Sequence, residues 1–175
     1  MANTTFDGPV RSKNGFQSIG PGAAIALTLA TNLTVAAHAG RLLTMDPAGT
    51  PTAITLPTIN STADNPIAGP GSDPSNPNTV GTTFEILFTD DFTGTISTDG
   101  TDKFVGSLMV GVNDGAKKAF VPAAANDVVN LNGEGTGTSG GLIGSRVKFT
   151  AIADNQYMVE GLLIGTGTVV TPFSN

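Results

Sequence analysis

Arg146-Val147-Lys148-Phe149-Thr150-Ala151-Ile152-Ala153-Asp154-Asn155-Gln156-Tyr157-Met158-Val159-Glu160-Gly161-Leu162-Leu163-Ile164 sets the fold class of this chain. Large apolar residues recur every second position on both sides of a polar centre. That period belongs to a strand and not to a helix. Ala153-Asp154-Asn155-Gln156 is the turn, so Arg146–Ile152 and Tyr157–Ile164 form the two arms of a hairpin. Val147, Phe149 and Ala151 are the inward residues expected on the first arm. On the second arm, either Tyr157, Val159 and Leu163 or Met158, Leu162 and Ile164 face in. Both sets are apolar, so the hairpin is expected to be covered on both faces, by a second layer or a neighbouring subunit.

The same period extends outward through the chain. Phe84, Ile86 and Phe88 share one face of a strand beginning at Thr83, and Glu85, Leu87 and Thr89 share the other. Leu108, Val110 and Val112 alternate with Ser107, Met109 and Gly111. Asn113-Asp114-Gly115 is a tight turn, because Asn-Gly and Asp-Gly types tolerate positive φ, and the strand returns over Lys118–Val121. Thr93–Thr98 and Val128–Leu131 are further short strands. Upstream, Ile25, Leu27 and Leu29 alternate with Ala24, Ala26 and Thr28, and Leu33 and Val35 repeat the pattern. Arg41–Met45 runs into the turn Asp46-Pro47-Ala48-Gly49. Ala53–Leu56 alternates again until Pro57 ends it or confines it to an edge. No β-α alternation, clear amphipathic helix or fixed-period repeat is present. Short strands at regular spacing predict an all-β fold, an antiparallel β-sandwich or β-barrel of jelly-roll-like form.

Two stretches break the rhythm. Residues 1–22 form a polar arm punctuated by Gly and Pro, with isolated apolar anchors at Phe6, Val10, Phe16 and Ile19. An extended arm cannot bury such anchors on itself, so it is expected to lie along a neighbour or over its own domain. Asn60–Thr82 is almost entirely Asn, Asp, Ser, Thr, Pro and Gly. It reads as one exposed loop within a single β domain spanning 23–175, because the strand pattern resumes at Thr83.

Composition narrows the function. The 175 residues include no Cys, no Trp, one His, one Tyr and only three Glu; charged residues make up 13%. Disulfides and thiolate metal sites are excluded. The net charge of −6 without a basic cluster argues against nucleic acid, whose phosphates are bound by Lys and Arg. Arg11, Lys13 and the apolar stretch 23–30 imitate a secretion signal. The basic pair sits too far from Met1, however, and Thr28, Thr31, Asn32 and Thr34 interrupt the stretch. No run reaches the ~18 apolar residues of a membrane span, and no membrane partner is expected.

Motifs for chemistry are weak. Gly133-Glu134-Gly135-Thr136-Gly137-Thr138-Ser139-Gly140-Gly141 lacks the Lys of a phosphate-binding loop and the helix of a dinucleotide fingerprint. A flexible connection between strands is the simpler reading. Asp90, Asp91, Asp99 and Asp102 would offer oxygen ligands to a hard cation if they converged; their spacing matches no calcium loop, and turn-forming Asp on a solvated edge is expected. His38 stands alone: Ser and Thr are too abundant to single out a nucleophile, and the nearest acid, Asp46, belongs to no recognisable triad motif. Glu160 is the best acid candidate, and its place mid-arm reads as an exposed strand position. No enzyme activity, cofactor or metal is expected.

The chain ends carry a resemblance. Met1-Ala2-Asn3-Thr4-Thr5-Phe6, Gly8-Pro9-Val10-Arg11-Ser12 and Asn14-Gly15-Phe16 resemble the start of small structural proteins of tailed bacteriophages, marine ones especially. Gly165-Thr166-Gly167-Thr168-Val169-Val170-Thr171-Pro172-Phe173 resembles their end, and Ile54-Thr55-Leu56-Pro57 and Tyr157–Leu163 fit the same pattern. The resemblance spans most of the chain apart from Asn60–Thr82. It implies a capsid decoration or cement protein: a β-rich oligomer, often a trimer, on the capsid exterior, made in the host cytoplasm and partnered by the major capsid protein. On that reading Phe6, Pro9, Val10, Arg11, Lys13, Phe16, Val169, Pro172 and Phe173 are the interface candidates. Its rivals are a tail or glycan-binding β module using 60–82 and, from another class, a small carbohydrate-active enzyme with two carboxylates in a cleft.

Overall fold

The computed structural model describes residues 24–45, 52–61, 79–112, 115 and 117–175. Twelve strands and one helical turn run in the order β1 (Ala24–Leu27), β2 (Thr31–Asn32), α1 (Val35–His38), β3 (Leu42–Met45), β4 (Thr52–Thr55), β5 (Thr83–Phe88) and β6 (Thr93–Ser97). They continue with β7 (Lys103–Val112), β8 (Lys117–Phe120), β9 (Val128–Asn132), β10 (Arg146–Ala153), β11 (Gln156–Gly165) and β12 (Phe173–Ser174). Seven strands form one sheet, ordered β1-β3-β5-β10-β11-β7-β8, and five form the other, ordered β12-β9-β6-β4-β2. The chain is an all-β sandwich.

The sheets are mixed, which departs from the antiparallel expectation. Among the described residues, β1–β3, β3–β5, β2–β4, β4–β6 and β7–β11 pair in parallel. The chain path explains the first four. From β1 to β6 every strand lies in the opposite sheet from its predecessor, with odd strands in the large sheet and even strands in the small one. A chain that crosses to the far layer and back must return in its original direction, so neighbours within each layer run parallel. The first half of the domain is therefore a short two-layer coil. Antiparallel pairing enters with the second half, where β10–β11 and β7–β8 are hairpins and β5–β10, β6–β9 and β9–β12 also run antiparallel.

Strand alternation fills the space between the layers. From the large sheet come Leu43, Phe84, Ile86, Phe88, Phe104, Leu108, Val110, Val147, Phe149 and Val159, all at most 1% exposed. The small sheet contributes Ile54, Ile96, Val129, Leu131 and Phe173. Phe104 joins the two layers, with its ring centroid 5.5 Å from Phe149 and 6.4 Å from Phe173. On β11, Tyr157, Val159 and Leu163 are the buried set, while Leu162 is 48% exposed. The two-residue turn Asp154-Asn155 closes this hairpin, and Asn155 takes φ 56°, a region Asn visits more readily than most residues. The hairpin is thus covered on one face by the small sheet. Gly106 sits in mid-strand on β7 with φ +106°, and a Cβ there would lie 2.3 Å from the Val159 carbonyl oxygen.

Three local readings are corrected. Val35 does not continue a strand, because Thr34 caps a single helical turn, its Oγ1 accepting from the Ala37 N–H at 3.3 Å. Leu29 lies just beyond β1 and is 72% exposed. The Gly-rich run 133–141 is a folded structure and not a loose connection. The Asn132 amide nitrogen donates to Thr136 and Thr138 hydroxyls, and its oxygen accepts from the Ser139 N–H and hydroxyl at 2.9 Å each. The turn signals Asp46–Gly49 and Asn113-Asp114 lie outside the described residues.

Candidate functional site

The interface candidates of the sequence reading divide in two. Phe6, Pro9, Val10, Arg11, Lys13 and Phe16 lie outside the described residues. Val169, Pro172 and Phe173 are buried within the chain itself. Phe173 pairs with Val129 as β12 and packs on Phe104. The Asn130 N–H donates to the Pro172 carbonyl at 2.6 Å, and the Val170 N–H to Thr138 O at 3.0 Å. These three side chains are buried in the chain's own fold. β12 completes the edge of the small sheet beside β9, and burying apolar side chains there is favourable. Val170 alone of the large residues there points outward, 48% exposed.

The four aspartates do not converge. Asp90 and Asp91 precede β6, and Asp99 and Asp102 follow it, so the strand separates the pairs. The Asp91 Oδ1 accepts from the Ile143 N–H at 2.8 Å and the Asp90 Oδ1 from the Asp91 N–H at 2.8 Å. Among the described residues, no three His, Cys, Asp or Glu side chains are grouped to hold a metal ion. His38 closes its own helical turn, its Nδ1 accepting from the Thr34 N–H at 3.0 Å. Glu160 faces outward and pairs with Lys148 at 2.9 Å.

Beyond β6 the second aspartate pair builds a clasp. The segment after β4 is gripped at three successive residues. The Tyr157 hydroxyl donates to the Pro57 carbonyl at 2.7 Å, the Thr58 hydroxyl to Asp99 Oδ2 at 2.7 Å, and the Ile59 N–H to Asp102 Oδ2 at 2.9 Å. The Asn60 and Thr79 ends are then tied together, Asn60 N–H to the Thr79 hydroxyl at 2.7 Å and Thr79 N–H to the Asn60 carbonyl at 2.9 Å. Burial raises the Asp99 pKa, but hydrogen bonds from the Thr58 hydroxyl and the Asp102 and Thr101 amides outweigh it, and the carboxyl sits below its ordinary value. Asp102 goes the other way. Burial pushes it up against the opposing Ile59 N–H, and the charges of Asp99 and Asp154 add to the rise. Tyr157 is also pushed well above its ordinary value, by burial first and then by Asp102 and Asp99.

The outward face of the seven-stranded sheet is the second feature. Strand registers place Thr44, Leu87, Arg146, Leu162, Met109 and Ala119 in one crosswise row. The adjoining row carries Leu42, Glu85, Lys148, Glu160 and Ser107. Arg146 pairs with Glu85 at 2.7 Å, so the four charges at the centre are matched across strands. Leu162 and Met109 stay 48% and 47% exposed. Leu162 separates two adjoining grooves. One, of about 620 Å³, is lined by Met109, Val112, Lys117, Leu142 and Ile164; the other, of about 450 Å³, by Leu87, Arg146, Lys148 and Glu160. The sequence showed both apolar sets on β11 but not which one the small sheet would cover. The missing signal was Gly161, whose inward position opposite Val147 leaves no room for a Cβ, with the Arg146 carbonyl oxygen 2.3 Å away.

Comparison with protein-family models, curated proteins and solved structures finds no match to this chain.

Proposed function

We propose that this chain is a structural virion protein that binds the outside of a bacteriophage capsid, bridges major capsid protein subunits and stabilises the shell, acting as a homotrimer without catalysis. The likeness of its two ends to phage structural proteins motivates the reading. The observation that carries it is the outward face of the large sheet. Leu162 and Met109 stand exposed beside a patch whose charges are already neutralised in pairs. Desolvating such a patch costs less than burying free charges, and covering Leu162 and Met109 would bury apolar surface that now faces solvent. The contact moves from the buried tail of the sequence reading to the sheet face. The mechanism is mechanical: each subunit adds contact area across neighbouring shell proteins.

The test is the mass of the full chain in solution, followed by its binding to empty shells of the parent particle. A trimer that binds saturably and raises the shell melting temperature supports the proposal. A monomer that leaves the shells unchanged overturns it.

A further inference from the structure

Asp102 is fully buried, yet only half of its carboxyl is used. Its Oδ2 accepts from the Ile59 N–H, while Oδ1 lies buried with no hydrogen-bond partner. Among its charged or titratable neighbours in the described residues, the Lys103 ammonium favours the ionised form through its charge, but none donates a hydrogen bond to Oδ1. The Lys103 ammonium turns to Asp127 and to the Gly100 carbonyl. The Tyr157 hydroxyl is given to Pro57. Asp99 is held by Thr58, Thr101 and Asp102 amide or hydroxyl donors, and it and Asp154 set two further negative charges nearby. A buried carboxylate with one donor and two acidic neighbours is poorly satisfied when ionised; as a neutral acid it fits the site.

We propose that Asp102 is a proton-operated latch between the 57–60 segment and the β6–β7 turn, closed when its carboxyl holds a proton and loosened when that proton leaves. Ionised, Oδ1 carries charge that no protein donor satisfies, and the segment bonded to the same carboxyl through the Ile59 N–H is the one that lifts to admit water. The latch does not depend on the capsid reading.

The linkage fixes the direction. In the opened segment Asp102 regains its ordinary value of 3.8, while in the closed one its value is raised. Between those two values the closed form binds more protons, so opening becomes more favourable as pH rises, by up to about tenfold per pH unit. Below 3.8 both forms are protonated and opening is independent of pH.

Amide hydrogen exchange of the full chain, followed by NMR from below pH 3.8 up to neutral pH and corrected for intrinsic exchange, tests this. The Ile59 and Asn60 amides are expected to open more as pH rises, while the Val159 amide in the sheet centre does not follow. Asp102→Asn keeps the shape and an acceptor for Ile59 but does not titrate, and is expected to flatten the response. A flat response in the unsubstituted protein, or an equal slope in Asp102→Asn, overturns the latch. The carboxyl carbon shift of Asp102 gives a reading that needs no variant: a titration midpoint above 3.8 is expected, and one at or below it overturns the latch.

Discussion

The Tyr157 hydroxyl, on the β11 arm of the central hairpin, donates to the Pro57 carbonyl 100 residues earlier at 2.7 Å. This bond joins the late hairpin to the early two-layer coil. Tyr157→Phe leaves the Pro57 oxygen without its partner and is expected to lower stability by about 1–3 kcal/mol. Urea unfolding checks it: the midpoint falls and the m-value stays the same.

Tyr157 is the one tyrosine of the chain, and there is no Trp, so its ionisation is read directly by ultraviolet absorbance. Its folded pKa is raised above the ordinary 10.0. The folded state therefore keeps a proton that the unfolded chain releases. That contribution to stability is complete below pH 10.0 and is lost as pH climbs toward the raised value. Absorbance is expected to change together with alkaline unfolding and not ahead of it.

Gly106→Ala forces a Cβ against the Val159 carbonyl oxygen from a positive φ. Strain of this kind costs of order 1–3 kcal/mol, and the overlap adds to it. Gly135→Ala is the control, since its Cβ would meet only the Asn132 oxygen at 3.6 Å. Thermal unfolding is expected to show a large drop for the first variant and little change for the second.

Much of this architecture was readable in the sequence. Period-two alternation marked Phe84, Ile86 and Phe88, Val147, Phe149 and Ala151, and the hairpin joining β10 to β11. Pairing direction was not readable, because an alternating strand looks the same whether its neighbour runs with it or against it; the crossing of layers between β1 and β6 fixes it for four of the parallel pairs. The tail residues Val169, Pro172 and Phe173 were recognised as apolar anchors, but a sequence does not say whether an anchor serves its own core or a partner. The 57–60 clasp was invisible because its donors and acceptors come from segments distant in the chain. Asp99 and Asp102 were noted as turn residues, and Asp102 is instead buried.

Phe173→Ala measures that last distinction. Removing a ring packed on Phe104 is expected to cost roughly 3–5 kcal/mol of folding stability. A tail reserved for a partner would leave the melting temperature of the free protein unchanged.

The sheet face decides the proposed function. Met109→Lys and Leu162→Lys change two half-exposed side chains, and surface changes of this sort usually move stability by about 0.5 kcal/mol or less. The most direct measurement is saturable binding of the double variant to empty parent shells, beside its melting curve. Loss of binding with an unchanged melting temperature is expected. Full binding by a folded double variant would contradict the assignment of this face to the shell.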